Sequence, residues 1–164
     1  MKSIEEQLVL HEGLRLNVYR CPAGYQTIGV GRNLDTVGLS RDEQLRVLGC
    51  SGLSPSEVIT LLKIRGITKD EAMFLLGNDI EKCYADLEPF DWFQALDPVR
   101  QKVILDMRFN LGLKGLLKFK NMIAALKVKD YKEAARRMED SLWYKQVGNR
   151  GKRLVKMMQT GFDY

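Results

Sequence analysis

Residues 12–31 read Glu-Gly-Leu-Arg-Leu-Asn-Val-Tyr-Arg-Cys-Pro-Ala-Gly-Tyr-Gln-Thr-Ile-Gly-Val-Gly. Leu14, Leu16 and Val18 alternate with polar neighbours, the two-residue period of a strand with one buried face. Cys21-Pro22-Ala23-Gly24 then has the composition of a tight turn with proline second, and Gln26-Thr27-Ile28-Gly29-Val30 resumes an extended pattern. The spacing predicts a β-hairpin. Residues 14–31 are the only part of the chain that looks like sheet.

Outward from the hairpin the pattern is helical and well punctuated. Ser or Thr followed three residues later by Glu recurs at Ser3/Glu6, Ser40/Glu43, Ser54/Glu57 and Thr68/Glu71, the signature of a capping box at a helix start. Pro55 takes the first helical position after its cap, where its missing N–H costs nothing. Leu53 and Ile67 precede their caps as hydrophobic staples do. Gly13, Gly49 and Gly66 stand where helices stop, and Pro89 lies beyond the fourth helix. That helix, about residues 68–87, carries Ala72, Leu76, Ile80, Cys83 and Leu87 on one face, with Gly77 weakening its middle by ~1 kcal/mol relative to alanine. Helical patterns resume at Val99–Asn110, Phe119–Leu126, Tyr131–Glu139 and Asn149–Met158. The predicted class is α+β rather than α/β. A single domain, 1–164, is expected: a small hairpin-containing N-terminal lobe (about 13–66), the long connecting helix, and a helical C-terminal lobe (about 89–164, with the N-terminal helix 3–12). A cleft between two such lobes is the natural place for a ligand.

At 164 residues, 45% hydrophobic and 29% charged, the chain can bury a core without a disulfide or metal to hold it. Cys21, Cys50 and Cys83 are odd in number and widely spaced, which fits neither a disulfide framework nor a zinc knuckle and points to a reducing cytoplasm as the site of synthesis. One histidine is too few for a His-based metal site, and no Walker-type or GxGxxG loop is present, so neither metal nor cofactor is expected. The N-terminus turns acidic before any apolar stretch develops, and no run approaches the ~18 apolar residues of a spanning helix. Neither a cleaved signal nor stable membrane insertion is expected.

The formal charge of +5 is unevenly placed. Residues 1–112 carry 13 Lys/Arg against 16 Asp/Glu, whereas residues 113–164 carry 13 against 5. The basic third suits a polyanion, which could be nucleic acid, an anionic membrane face or an acidic wall polymer; alternatively it only keeps the protein soluble. A basic nucleic-acid-binding module is the rival reading, but no helix start carries a base-reading signature and the aromatics are not interleaved with the basic residues.

Glu12 is the misfit of the first helix. Ile4 and Leu8 put it on the apolar face, and Gly13 puts it in the last turn, at the negative end of the helix dipole. Desolvation first, and the dipole second, favour the protonated carboxylic acid, the form a general acid needs. The bland alternative is a side chain that swings to solvent at a frayed end. Cys21 and Thr27 flank the turn at positions that could face each other across the strand pair, presenting a thiol beside a hydroxyl. Each also reads as ordinary filler, a small half-buried residue and a β-branched strand residue.

The segment 12–31 resembles the active-site segment of the phage lysozymes of glycoside hydrolase family 24, including the spacing Glu, eight residues, Asp or Cys, five residues, Thr. Ile67-Thr68-Lys69-Asp70-Glu71-Ala72 resembles the start of that family's inter-lobe helix. Met107 through Gly112, with Phe109, resembles its helix at the cleft, and Trp143-Tyr144, Asn149-Arg150 and Lys152-Arg153 resemble its closing segment. The resemblance implies an endolysin: a muramidase cutting the β-1,4 bond between N-acetylmuramic acid and N-acetylglucosamine in peptidoglycan glycan strands. It would be made in the host cytoplasm and act, as a monomer, on the cell wall to lyse the host. On that reading Glu12 protonates the leaving oxygen, Cys21 stands where other members have Asp or Cys, and Thr27 orders the attacking water. Phe109 and Asn110 match positions at the cleft floor, and Arg150 matches a residue that pairs with the catalytic Glu. Their bland readings are core packing for Phe109 and a surface charge for Arg150. A homologue that binds peptidoglycan without cutting it is a further alternative.

The chain departs from the family pattern at two places. Arg32 stands where a histidine follows the glycine-rich strand, so the ion pair of that histidine must be remade or lost, and Arg32 is a candidate substrate contact. Residues Asn33–Arg65 are longer than their counterpart and contain two capped helices, which changes the rim of the N-terminal lobe. With a thiol as the second partner, the carboxylate separation that decides stereochemistry in this enzyme class has no direct counterpart.

Overall fold

The computed structural model describes residues 1–164. Its elements run α1 (Ile4–Glu12), β1 (Arg15–Arg20), β2 (Gln26–Gly29), β3 (Arg32–Asn33), α2 (Arg41–Leu48), α3 (Pro55–Arg65), α4 (Lys69–Leu87), α5 (Asp91–Gln94), α6 (Pro98–Leu117), α7 (Lys120–Lys127), α8 (Tyr131–Glu139), α9 (Leu142–Val147) and α10 (Asn149–Thr160). A small antiparallel sheet among helices bears out the α+β expectation. The chain packs as two compact units, residues 5–79 and residues 1–4 with 80–164, and the division falls inside α4 between Asp79 and Ile80. Residues 5–12 of α1 group with the sheet, although the sequence pattern assigned that helix to the helical lobe. Gly13, at φ 79° and donating its N–H to the Val9 carbonyl, ends α1 two residues before β1.

The sheet of residues 5–79 has the order β1-β2-β3. The turn forms where composition places it: Gly24 donates to the Cys21 carbonyl at 2.8 Å, Cys21 donates to the Tyr25 carbonyl at 2.9 Å, and Gly24 supplies the positive φ of 89°. The register of β1 is less regular than its sequence. Arg15 pairs with Gly29 and Tyr19 with Thr27, so the strands fall out of step between these pairs. Leu14 and Val18 still pack on the core, but Leu16 is 39% exposed rather than inward. The strand β3 was not foreseen, because two residues are too few to show a period; it pairs Arg32 with Ile28 and Asn33 with Thr27.

Three capping boxes form as read. Ser40 and Glu43 close one on α2, Ser54 and Glu57 another on α3 behind Pro55, and Glu71 donates its N–H to Thr68 while accepting from the Thr68 N–H at the start of α4. These helices lay Val47, Val58, Leu62, Ala72 and Leu75 against Ile28 and Leu34, the apolar core of the unit. Gly66 joins α3 to α4 at φ 67° and ψ −165°, where a Cβ would lie 2.7 Å from the Leu16 carbonyl oxygen. That oxygen already accepts the Ile67 N–H at 2.8 Å and cannot retreat freely. Gly66→Ala should therefore cost about 2–4 kcal/mol of stability, from the forbidden dihedral and the backbone clash together, read as a lowered urea midpoint.

In residues 80–164, Asp97 caps α6 ahead of Pro98, and Gly112, at φ 74° and ψ 164°, breaks that helix just past Asn110. Met107, Leu116, Met138, Leu154 and Met158 are buried. The short helices α5 and α9 lack the length for a visible helical period. No helix is long and apolar enough to cross a membrane.

Candidate active site

Glu12 ends α1 and its carboxylate lies against the backbone of Gly31: a Cβ there would stand 3.2 Å from Glu12 Oε2. Glycine at φ 71° is what lets the chain after β2 pass so close to the acid. Glu12 is half-buried and has a polar partner, so it does not swing into solvent at a frayed end.

Cys21 is not directly opposite Thr27. The register sets Tyr19 opposite Thr27, and Cys21 pairs with Tyr25 at the turn, one step along the strand diagonal. The Thr27 hydroxyl still bears on the thiol electrostatically. Burial works to raise the thiol pKa, but the N–H of Tyr25, the Thr27 hydroxyl and the N–H groups of Ala23 and Gly24 outweigh it and hold it below its ordinary value. The turn thus forms a small anion-accepting concavity around the sulfur. Thr27, 3% exposed, donates its single hydroxyl proton to the Tyr25 carbonyl at 2.9 Å. When the thiol ionises, that proton has the sulfur as a competing acceptor.

Tyr19 ties the group together and was not singled out in the sequence. Its phenol is raised above the ordinary tyrosine value by burial and then by the Glu12 charge, with Arg15 opposing and Cys21 adding a smaller upward push. The phenol, opposite Thr27 across the strand pair, thus feels the charges of both Glu12 and Cys21. The strand period could have found it, since Tyr19 lies two residues before Cys21 and shares its face.

Arg32 is corrected by the structure. It is 3% exposed and all its N–H groups are taken: Nε by Asp79 at 3.0 Å, Nη1 by the Gly38 carbonyl and Glu43 Oε1, Nη2 by Glu43 Oε2 and the Leu75 carbonyl. No donor remains for a sugar, so Arg32 holds the sheet to α2 and α4. The ion pair is remade with Asp79 and extended to Glu43, which also accepts from Asn78 at 2.9 Å. The first of the two helices of residues 33–65, α2, supplies that second carboxylate. Against its burial, Arg32 and Asn78 pull the Glu43 pKa down to about 2. Arg32→Met leaves that carboxylate buried and unpaired, and is expected to cost about 3–5 kcal/mol at neutral pH. Because the Glu43 value is depressed on folding, the contribution is whole above about 4.5 and lost as pH falls towards 2. The gap between variant and wild type in denaturant unfolding should narrow over that interval.

In the other unit, Asn110 is exposed on α6 beside half-buried Phe109. Its Oδ1 accepts the Trp143 indole N–H at 2.9 Å, and Trp143 is itself held edge-on by Phe119, with centroids 6.0 Å apart. That bond uses the amide oxygen and leaves the Asn110 amide nitrogen as a donor. Arg150 is buried, not a surface charge: its Nε donates to Asp106 Oδ1 at 2.8 Å, and Asp106 is wholly buried. Asp106 was missed, although a carboxylate amid Val103, Ile104, Leu105 and Met107 is the same kind of signal that marked Glu12.

Comparison with known proteins finds relatives that match nearly the whole chain. The central spike protein Gp5 of the pre-baseplate of Enterobacteria phage T4 is 30% identical over 174 residues, a match covering 97% of this chain and 28% of that protein. Two proteins of Dictyostelium discoideum described as probable T4-type lysozymes 1 and 2 are 27% and 25% identical, each over 98% of this chain and 96% of their own length. The chain thus spans little more than a quarter of the spike protein but nearly all of the Dictyostelium proteins. The sequence model of the phage lysozymes matches residues 9–159, and the chain belongs to the phage lysozyme family.

Proposed function

We propose that the protein is an endolysin that hydrolyses the β-1,4 bond between N-acetylmuramic acid and N-acetylglucosamine in peptidoglycan. The observation that carries this is the hairpin register, which sets Tyr19 opposite Thr27 and Cys21 one diagonal step from it, with Glu12 near enough for its charge to act on the half-buried phenol. Glycosidic cleavage needs a proton for the leaving oxygen and a group on the other side to take one from water. Glu12 is the acid. Cys21, favoured as thiolate by the turn around it, is the base, and Thr27 holds the water by accepting from it. Water adds to the anomeric carbon, the bond to the leaving oxygen breaks, Glu12 protonates that oxygen, and the sulfur takes the water proton.

Phe109 and Asn110 serve sugar binding on this reading, the ring by apolar contact and the amide by donating to an acetamido carbonyl or hydroxyl. Arg150, fixed by Asp106, supplies positive charge. The excess of Lys and Arg over residues 113–164 suits an anionic wall polymer and raises the encounter rate. Purified protein should clear a suspension of outer-membrane-permeabilised Gram-negative cells. An unchanged turbidity, with the protein sedimenting on the walls, would make it a binder rather than a hydrolase.

A further inference from the structure

Tyr19 takes no part in the chemistry just described. The pairing of β1 with β2 sets it directly opposite Thr27. Residues opposite one another in an antiparallel pair share a face, as do residues two apart on one strand. Tyr19 and Thr27 therefore share one face of the hairpin, and Cys21, bonded to Tyr25 in the turn just past β1, lies next along the chain beyond Arg20. Arg15 stacks on the tyrosine ring, its guanidinium carbon 4.4 Å from the centroid, and limits how the ring can turn. The phenol O–H donates to no group of the protein.

The hydrogen-bonding capacity of that face is lopsided. Thr27 has one hydroxyl proton, given to the Tyr25 carbonyl or, once the thiol ionises, to the sulfur, and in either case it offers a water only lone pairs. The Cys21 sulfur, ringed by N–H groups and favoured as thiolate, is also an acceptor. A water can satisfy both by donating twice. Of its two lone pairs one must be aimed at the anomeric carbon, and the other needs a donor. The uncommitted donor on this face is the Tyr19 phenol, and its upward shift keeps it protonated while the other two groups do their work.

We propose that Tyr19 is a catalytic residue of the hydrolysis, its phenol O–H donating to the attacking water while Thr27 and Cys21 accept from it. The inference rests on the hydrolase reading above. In the step, the water oxygen bonds to the anomeric carbon, the bond to the leaving sugar oxygen breaks, Glu12 delivers its proton to that oxygen, and one water proton passes to the Cys21 sulfur. Tyr19 keeps its own proton and fixes the direction of the lone pair that attacks.

Tyr19→Phe keeps the ring and the Arg15 stack and removes only the O–H. On soluble glycan strands kcat should fall about ten- to a hundredfold, as expected when a reacting atom loses its orientation, while KM stays within about twofold. The rate of Cys21 carbamidomethylation in a Cys50→Ser background, and the thermal midpoint, should not move, since the hairpin is intact. A kcat within about twofold of wild type would overturn the proposal. So would a loss of kcat accompanied by an equal change in Cys21 alkylation, which would make the phenol a support of the hairpin. If Glu12→Gln keeps full turnover, the hydrolase reading itself has failed, an outcome distinct from either result with Tyr19→Phe.

Discussion

Glu12→Gln is expected to abolish peptidoglycan hydrolysis and leave the fold untouched. The substitution is isosteric and removes only the transferable proton, so turnover should fall by about 10² to 10⁴-fold or more. Stability should stay within about 0.5 kcal/mol, because glutamine keeps the size and shape of the side chain that lies against the Gly31 backbone. The assay is release of reducing ends from purified peptidoglycan, with unfolding followed in parallel. Turnover near the wild-type value with glutamine at this position would end the mechanism, since no proton donor would then be needed there.

Cys21 gives the second large effect. A thiolate base makes activity rise with pH as the thiol ionises, and the N–H groups of the turn and the Thr27 hydroxyl bring that rise below the pH of an ordinary cysteine. Cys21→Ser keeps a water-binding oxygen but loses the ionisable group, and is expected to be nearly inactive. Cys21→Asp restores an anion in the same cradle and should retain activity, with the ascending limb moved to lower pH. Iodoacetamide should inactivate the wild type; the control background is Cys50→Ser, because Cys50 is exposed while Cys83 is buried. Full activity of Cys21→Ser across the pH range would remove the thiolate from the mechanism and leave Glu12 and Thr27 as the working pair.

The helices with strong local punctuation were legible in advance: α2, α3 and α4 start at their capping boxes, and the hairpin turns at Cys21–Gly24, because these signals act within a few residues of one another. What escaped depends on partners distant in sequence. The slip in β1 that turns Leu16 outward is a property of its pairing with β2, and β3 exists because Arg32 and Asn33 meet Ile28 and Thr27. Arg32 read as a candidate sugar contact because its carboxylate partners lie 11 and 47 residues away. Around Glu12, Cys21 and Thr27 the residue types and spacing were visible, but not the diagonal offset of Cys21 from Thr27 or the place of Tyr19 between them. Asp106 went unread despite its apolar neighbours in sequence, and its partner Arg150 lies 44 residues away.

The most direct measurement is the identity of the sugar left at the new reducing end. Purified peptidoglycan is digested to completion, reduced with borohydride, hydrolysed and analysed for amino sugar alcohols. A muramidase leaves N-acetylmuramic acid as the reducing sugar, so the reduced digest should contain muramitol, and the Glu12→Gln digest should contain none above background. Glucosaminitol in its place, or wall binding with no new reducing ends of either kind, would contradict the account.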